Sequence, residues 1–190
     1  PVGALARTGS WKETAARNLD IIELSKRLDT EKRAATPEEQ TLLAQYVGWG
    51  PADIRNKLFP STNSSLREIN PYAVSPDWRP LAERAAEMLS PEEVATAFQS
   101  TQYAHYTSEP MIRAIWSGLQ RLGFKGGNIL EPGMGTGLFA VASPSEVMEK
   151  SKYTGVEMDK ATARIARHLL PESNILNADF VKQKLPDNFF

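Results

Sequence analysis

The sequence predicts an α/β protein in which a helical N-terminal region precedes a small parallel sheet of three strands. Three observations carry this. Short apolar runs at 128–130, 152–156 and 174–176 alternate with stretches of helical spacing. Few strand signals precede Ser100, where capping residues and helical apolar stripes dominate. Each of the three runs ends in a glycine- or acid-bearing turn, and parallel α/β sheets hold their ligands beyond the carboxyl ends of their strands.

The elements follow in order. Leu19, Ile22 and Leu28, with Ile21 and Leu24 beside them, form the apolar stripe of a first helix among Glu and Lys. Thr36-Pro37-Glu38-Glu39 starts a second: Thr36 caps, Pro37 fits the first turn, and Glu39 reaches back to the cap. Leu42, Leu43, Tyr46 and Val47 follow on its apolar side, and Gly48-Trp49-Gly50-Pro51 breaks it. The stretch 59–80, rich in Pro, Asn and Ser, reads as irregular. Ser90-Pro91-Glu92-Glu93 repeats the start signal, with Val94, Ala97 and Phe98 behind it. A helix then opens near Thr107-Ser108-Glu109-Pro110 and presents Met111, Ile112, Ile115, Trp116 and Leu119. After the first strand a short helix is expected within 137–142, and Ser143-Pro144-Ser145-Glu146 begins another turn. The second strand covers 152–156. A helix over 159–169, with Ile165 and Leu169 on its apolar side, leads to the third strand at 174–176. The chain thus divides into a helical leader, 1–100, and a strand–helix unit, 101–190.

Composition removes several classes. The 190 residues contain no cysteine, which excludes disulfides, zinc–thiolate sites and thiol nucleophiles. The formal net charge of −1 gives no overall basic field, but it decides nothing about nucleic acid, because a local basic groove fits inside a neutral total. No apolar run approaches the roughly 18 residues of a membrane span, so a cytoplasmic location with no membrane partner is the expectation. Pro1 at one end and Phe189-Phe190 at the other read as the cut ends of a longer chain.

The loop Glu131-Pro132-Gly133-Met134-Gly135-Thr136-Gly137 carries the chemistry. Its single spacers differ from the G-x-G-x-x-G of dinucleotide sites, and it lacks the Gly-Lys-Ser/Thr ending of a P-loop. What remains is a loop that lets a ligand approach backbone closely, with an acid beside it. A carboxylate there repels phosphate and suits an ammonium group. Glu157 ends the second strand about 20 residues after the loop, where a ribose-binding acid belongs, and its two oxygens can accept both ribose hydroxyls. Asp179 ends the third strand and can accept from a purine amine, while Phe180 can cover a base. The ordered set describes a ligand with amine, ribose and purine but no phosphate.

The residues that make this set resemble a known family. Glu131 to Gly137, Gly155-Val156-Glu157-Met158-Asp159 and Asn177-Ala178-Asp179-Phe180 look like the first three motifs of S-adenosylmethionine-dependent DNA methyltransferases acting on adenine N6. His105-Tyr106-Thr107-Ser108 resembles the segment that precedes the glycine loop in this class, with Ser108 where proline is common. Arg33-Ala34-Ala35-Thr36-Pro37-Glu38-Glu39-Gln40 and Tyr46-Val47-Gly48-Trp49-Gly50 resemble the leader of large plasmid- and phage-borne proteins that fuse a methylase to a helicase. The resemblance implies a Rossmann-like methyltransferase sheet, of which these are the first three strands. It implies S-adenosyl-L-methionine as cofactor, with Thr107 and Glu131 at its methionine end and Gly133, Gly135 and Gly137 shaping the loop. Glu157 would hold the ribose, Met158 and Phe180 would flank the adenine, and Asp179 would bind its amine. DNA is the implied partner of the full-length protein.

The class also uses an Asn/Asp-Pro-Pro-Tyr/Phe tetrapeptide to hold a flipped base. None occurs in these 190 residues, so no catalytic residue is assigned and the chain alone is expected to be inactive. A non-catalytic docking module of a helicase protein is the alternative. In the implied fold the first strand lies centrally, so its free edge is expected to pair with another copy or to be covered by the leader. His105 and His168 receive no role and no metal site is expected. Trp49 reads as a packing anchor under a turn. Glu38, Glu39, Glu92 and Glu93 are helix starts, and Arg164, Arg167, Lys182 and Lys184 read as solvated.

Overall fold

The structure, a computed structural model, describes residues 9–49, 54, 57–59, 68–103 and 107–190, without the side chains of 99–103. Gly50-Pro51, residues 60–67 of the irregular stretch expected over 59–80, and His105-Tyr106 lie outside the described residues.

The leader is helical, as its capping signals predict. Helix α1 (Trp11–Glu31) starts at a capping box the sequence reading did not include: the Ser10 amide donates to Glu13 at 2.7 Å and the Glu13 amide donates to the Ser10 hydroxyl at 3.3 Å. Leu19, Ile21, Ile22, Leu24 and Leu28 are all buried, so α1 is a central helix rather than one with a single apolar stripe. Helix α2 (Pro37–Leu43) begins with the expected Thr36–Glu39 box. The turn after it is tied to α1 by Asn18, whose Nδ2 donates to the Gly48 carbonyl at 2.6 Å. Trp49 is buried there and meets Phe59 edge-on at 5.5 Å, the anchoring role its position predicts. Helix α3 (Arg79–Met88) has no counterpart in the sequence reading. Pro80 sits in its first turn, where proline is tolerated, and Ala82 and Ala85 are fully buried against the leader core. Helix α4 (Pro91–Tyr103) starts at the Ser90–Glu93 pair and runs on past residue 100.

Helix α5 (Glu109–Arg121) opens the second unit. It buries Ile112 and Trp116, and the Trp116 indole donates to the Phe139 carbonyl at 2.8 Å. Met111 and Ile115 are exposed. The helix packs through a narrower strip than its apolar pattern offers. Strand β1 (Asn128–Pro132), short helices α6 (Leu138–Val141) and α7 (Ser145–Met148), strand β2 (Lys152–Glu157), helix α8 (Lys160–Leu169) and strand β3 (Asn174–Asn177) complete it. The strands are parallel in the order β1-β2-β3, the α/β arrangement that alternating strands and helices predict.

Register decides what shares a face. Ile129 pairs with Tyr153, Glu131 with Gly155, and Glu157 with Asn177. With the period-two alternation of strands, Ile129, Glu131, Tyr153, Gly155, Glu157 and Ile175 therefore lie on one side. Ala163 and Ala166 of α8, Met134 of the glycine loop and Ala140 of α6 pack against that side. The opposite side of α8 belongs to the leader, where Ala161 and Ile165 join the core built on α1, α3 and α4. Alanines on both sides let the backbones on either flank approach closely.

A charged cluster accompanies this joint. Glu93, 1% exposed at its side chain, accepts from Lys26 at 2.8 Å and from Arg164 at 2.6 Å. Arg164 also pairs with Asp29 at 3.3 Å, and His168 reaches Asp29 at 2.9 Å. This corrects the reading of Arg164 as a solvated position: a helix surface that faces solvent in isolation faces the leader here. The leader docks on α8, and no β1 residue belongs to the core they share. Among the described residues no strand pairs with the outer edge of β1, and Asn128 donates from its Nδ2 to the Phe189 carbonyl at 2.9 Å. No described helix is long and apolar enough to cross a membrane.

Candidate functional site

The glycine loop leaves β1 at Pro132 and turns back over β2. Gly133, Gly135 and Gly137 have φ of +63°, +58° and +79°, the left-handed region that glycine alone enters without strain. The Met134 amide donates to the Val156 carbonyl at 3.1 Å, and the Gly135 amide donates to Glu157 Oε2 at 2.9 Å. The Met134 side chain, almost fully buried, then lies on Gly155. A Cβ at Gly155 would overlap the Met134 sulfur and come within 2.8 Å of its Cε. Gly155 is therefore a seat for the loop. From sequence alone it is only part of the strand-end motif Gly155-Val156-Glu157-Met158-Asp159.

Two acids at the strand ends are largely removed from water. Glu131 accepts a hydrogen bond from the Tyr153 hydroxyl beside it on the same sheet face. Burial raises the Glu131 carboxyl to about 7, against the Tyr153 bond, which favours its charged form. Burial, with the neighbouring Glu131 charge, also raises the Tyr153 phenol far above its ordinary value, so it stays a donor. Glu157 is likewise raised, first by burial, while the amides of Asp159 and Gly135 oppose the shift. Its Oε1 accepts from the Asp159 amide at 2.7 Å. Each Glu157 oxygen thus already holds one backbone donor and keeps a second lone pair.

Asn177 braces the end of β2, donating from Nδ2 to the carbonyls of Glu157 at 2.9 Å and Met158 at 3.1 Å. Asp159 caps α8, accepting from the Thr162 amide at 2.7 Å and its hydroxyl at 2.6 Å. Asp179 accepts from the Val181 amide at 3.1 Å, caps a 3₁₀ turn at Phe180–Lys182, and pairs with Lys182 at 3.2 Å. Met158 and Phe180 are 45% and 39% exposed at neighbouring strand ends, so apolar surface faces solvent there.

The structure brings Glu131, the three glycines, Glu157 and Met158 to the adjacent ends of β1 and β2, with Asp179 and Phe180 following β3. Thr107 is exposed ahead of α5 and, among the described residues, makes no hydrogen bond to the loop. Two contributors escaped the sequence reading. Tyr153 lies too far along the chain from Glu131 for a local motif to link them. Thr136, fully buried within the loop, carries a hydroxyl with no partner among the described residues. A threonine between two loop glycines was the available signal. Such a buried, unpaired hydroxyl is costly unless something accepts or donates to it. No described His, Asp and Glu cluster could hold a metal ion. The chain matches no protein family, no curated protein and no solved structure.

Proposed function

We propose that this chain is the S-adenosylmethionine-binding part of an adenine-N6 DNA methyltransferase, its sheet corresponding to the first three strands of a Rossmann-like methyltransferase domain. The observation that carries the reading is the order of acids along adjacent parallel strand ends, beginning at a loop of three left-handed glycines closed onto β2. Glu131 suits an ammonium, the spare lone pairs of Glu157 suit ribose hydroxyls, and exposed Met158 and Phe180 suit an adenine ring. The cofactor supplies the methyl group; the chain's own residues bind and orient it. The motif that would hold a target base is not among the 190 residues, so ligand binding is the activity proposed for this chain.

Calorimetric titration with S-adenosylmethionine is expected to give saturable one-site binding, and no binding would refute the reading. Glu157→Ala or Asp179→Ala is expected to weaken it by about tenfold or more, the scale of a lost hydrogen bond to a charged group. Unchanged affinity in both variants would remove these residues from the site. A second reading, a docking module without ligand, draws on the internal bonds of Glu157 and Asp179: both carboxylates already serve the fold. It predicts that neither substitution changes a binding heat because the wild-type chain shows none.

A further inference from the structure

We propose that Tyr153 is a positioning residue for Glu131, and that the pair makes ligand binding proton-coupled by accepting an ammonium group only when Glu131 is ionised. The inference rests on the S-adenosylmethionine reading and assigns it a specific charge-sensing pair. Tyr153 pairs in register with Ile129, one step before Glu131 on the same face, and its ring is almost fully buried in the core under the glycine loop. Its hydroxyl donates to the Glu131 carboxylate. Gly155, the register partner of Glu131, carries no side chain between them. The acid is therefore held from β2 at the end of β1, where the ligand is proposed to bind.

The electrostatic surroundings are simple. Tyr153 is the one ionisable group among the described residues that shifts Glu131. On α8, Arg164 faces Glu93 and Asp29, His168 faces Asp29, Lys160 faces Glu92, and Arg167 donates to the Ile175 carbonyl. On α5, Arg113 pairs with Glu109, and on α7, Glu146 accepts from Gln120. Among the described residues no cation pairs with Glu131, so a bound ammonium would be its counter-ion. With the carboxyl half-titrated near pH 7, binding below that pH requires the loss of its proton to solvent.

The expected signature is a bell. Affinity for S-adenosylmethionine rises with pH through about 7 as Glu131 ionises. It falls above about pH 8 as the ligand's own α-ammonium deprotonates. Tyr153→Phe keeps the ring but removes the donor that favours the carboxylate, so the rising limb moves upward while the falling limb stays. A rise of about one unit would cut the ionised fraction at pH 7 from about a half to about a tenth, roughly a fivefold loss of affinity there. Glu131→Gln abolishes the rising limb.

The test is calorimetry of the 190-residue chain between pH 5.5 and 9 with two probes, S-adenosylmethionine and 5′-methylthioadenosine, which lacks the amino acid. NMR titration of the Glu131 carboxyl without ligand accompanies it. A rising limb for the first probe alone, displaced in Tyr153→Phe together with the carboxyl titration, supports the proposal. A flat wild-type profile, or a uniform loss in Tyr153→Phe with the limb in place, overturns it while leaving the cofactor reading intact. Failure of the wild-type chain to bind either probe at any pH overturns both.

Discussion

Replacing Glu93 with alanine is expected to destabilise the protein by about 3–5 kcal/mol, the range found when one partner of a buried ion pair is removed. Glu93 closes the capping box of α4 and accepts from both Lys26 and Arg164. Its loss would leave Arg164 facing a buried gap, with Asp29 as its remaining ion-pair partner among the described residues. The measurement is denaturant unfolding, with Glu92→Ala as control. Glu92 pairs with Lys160 at the surface, where an ion pair contributes about 0–1 kcal/mol. Equal, small effects for the two variants would show that the joint between leader and α8 does not depend on charge. pH gives an independent check. Burial works to raise the Glu93 carboxyl, but the bonds from Lys26, the Ser90 amide and Arg164 outweigh it and hold it at about 2. The folded protein therefore binds fewer protons than the unfolded chain between the ordinary 4.5 and about 2. This contribution is complete above pH 4.5 and is lost as pH falls through about 2, and Glu93→Ala should lack it. Glu131 acts with the opposite sign. Its folded-state value is raised, so its contribution is full below 4.5 and is lost as pH rises through about 7.

Gly155→Ala is the second large effect. One added methyl would occupy the place of the Met134 sulfur, and the strand cannot give way because β2 is bonded on both sides. The methionine must leave, at a cost of about 1–3 kcal/mol for overpacking. With it goes the seat of the glycine loop, so ligand affinity should fall with stability. Met134→Ala in the same chain removes the clash and should recover much of both. Simple additivity of the two substitutions would show that Met134 and Gly155 are not coupled.

How much of this was legible in the sequence depended on the range of the signal. Thr36–Glu39 and Ser90–Glu93 marked two helix starts because a capping box is complete within four residues. The strand–helix alternation and the glycine loop were legible for the same reason. Helix α3 was not, because Pro80 read as a loop residue and its two fully buried residues are alanines. The loop glycines could be recognised as glycines that a turn needs, whereas Gly155 owes its identity to a methionine that arrives from another element. Arg164 looked solvated since nothing near it in the chain reveals the leader lying across α8. Tyr153 and Glu131 became a pair only once the register of β1 on β2 was known.

Helix α8 packs on the leader through Ala161 and Ile165 and on the sheet through Ala163 and Ala166. It is capped by Asp159, two residues past Glu157. Neither flank can separate without stripping this helix, so its amides should exchange with solvent only when the whole molecule opens. A ligand that tightens the end of β2 should then slow exchange in α1, on the far side of α8 from the sheet, with no contact between ligand and α1. Hydrogen-exchange mass spectrometry of the leader would thus report on events at the strand ends.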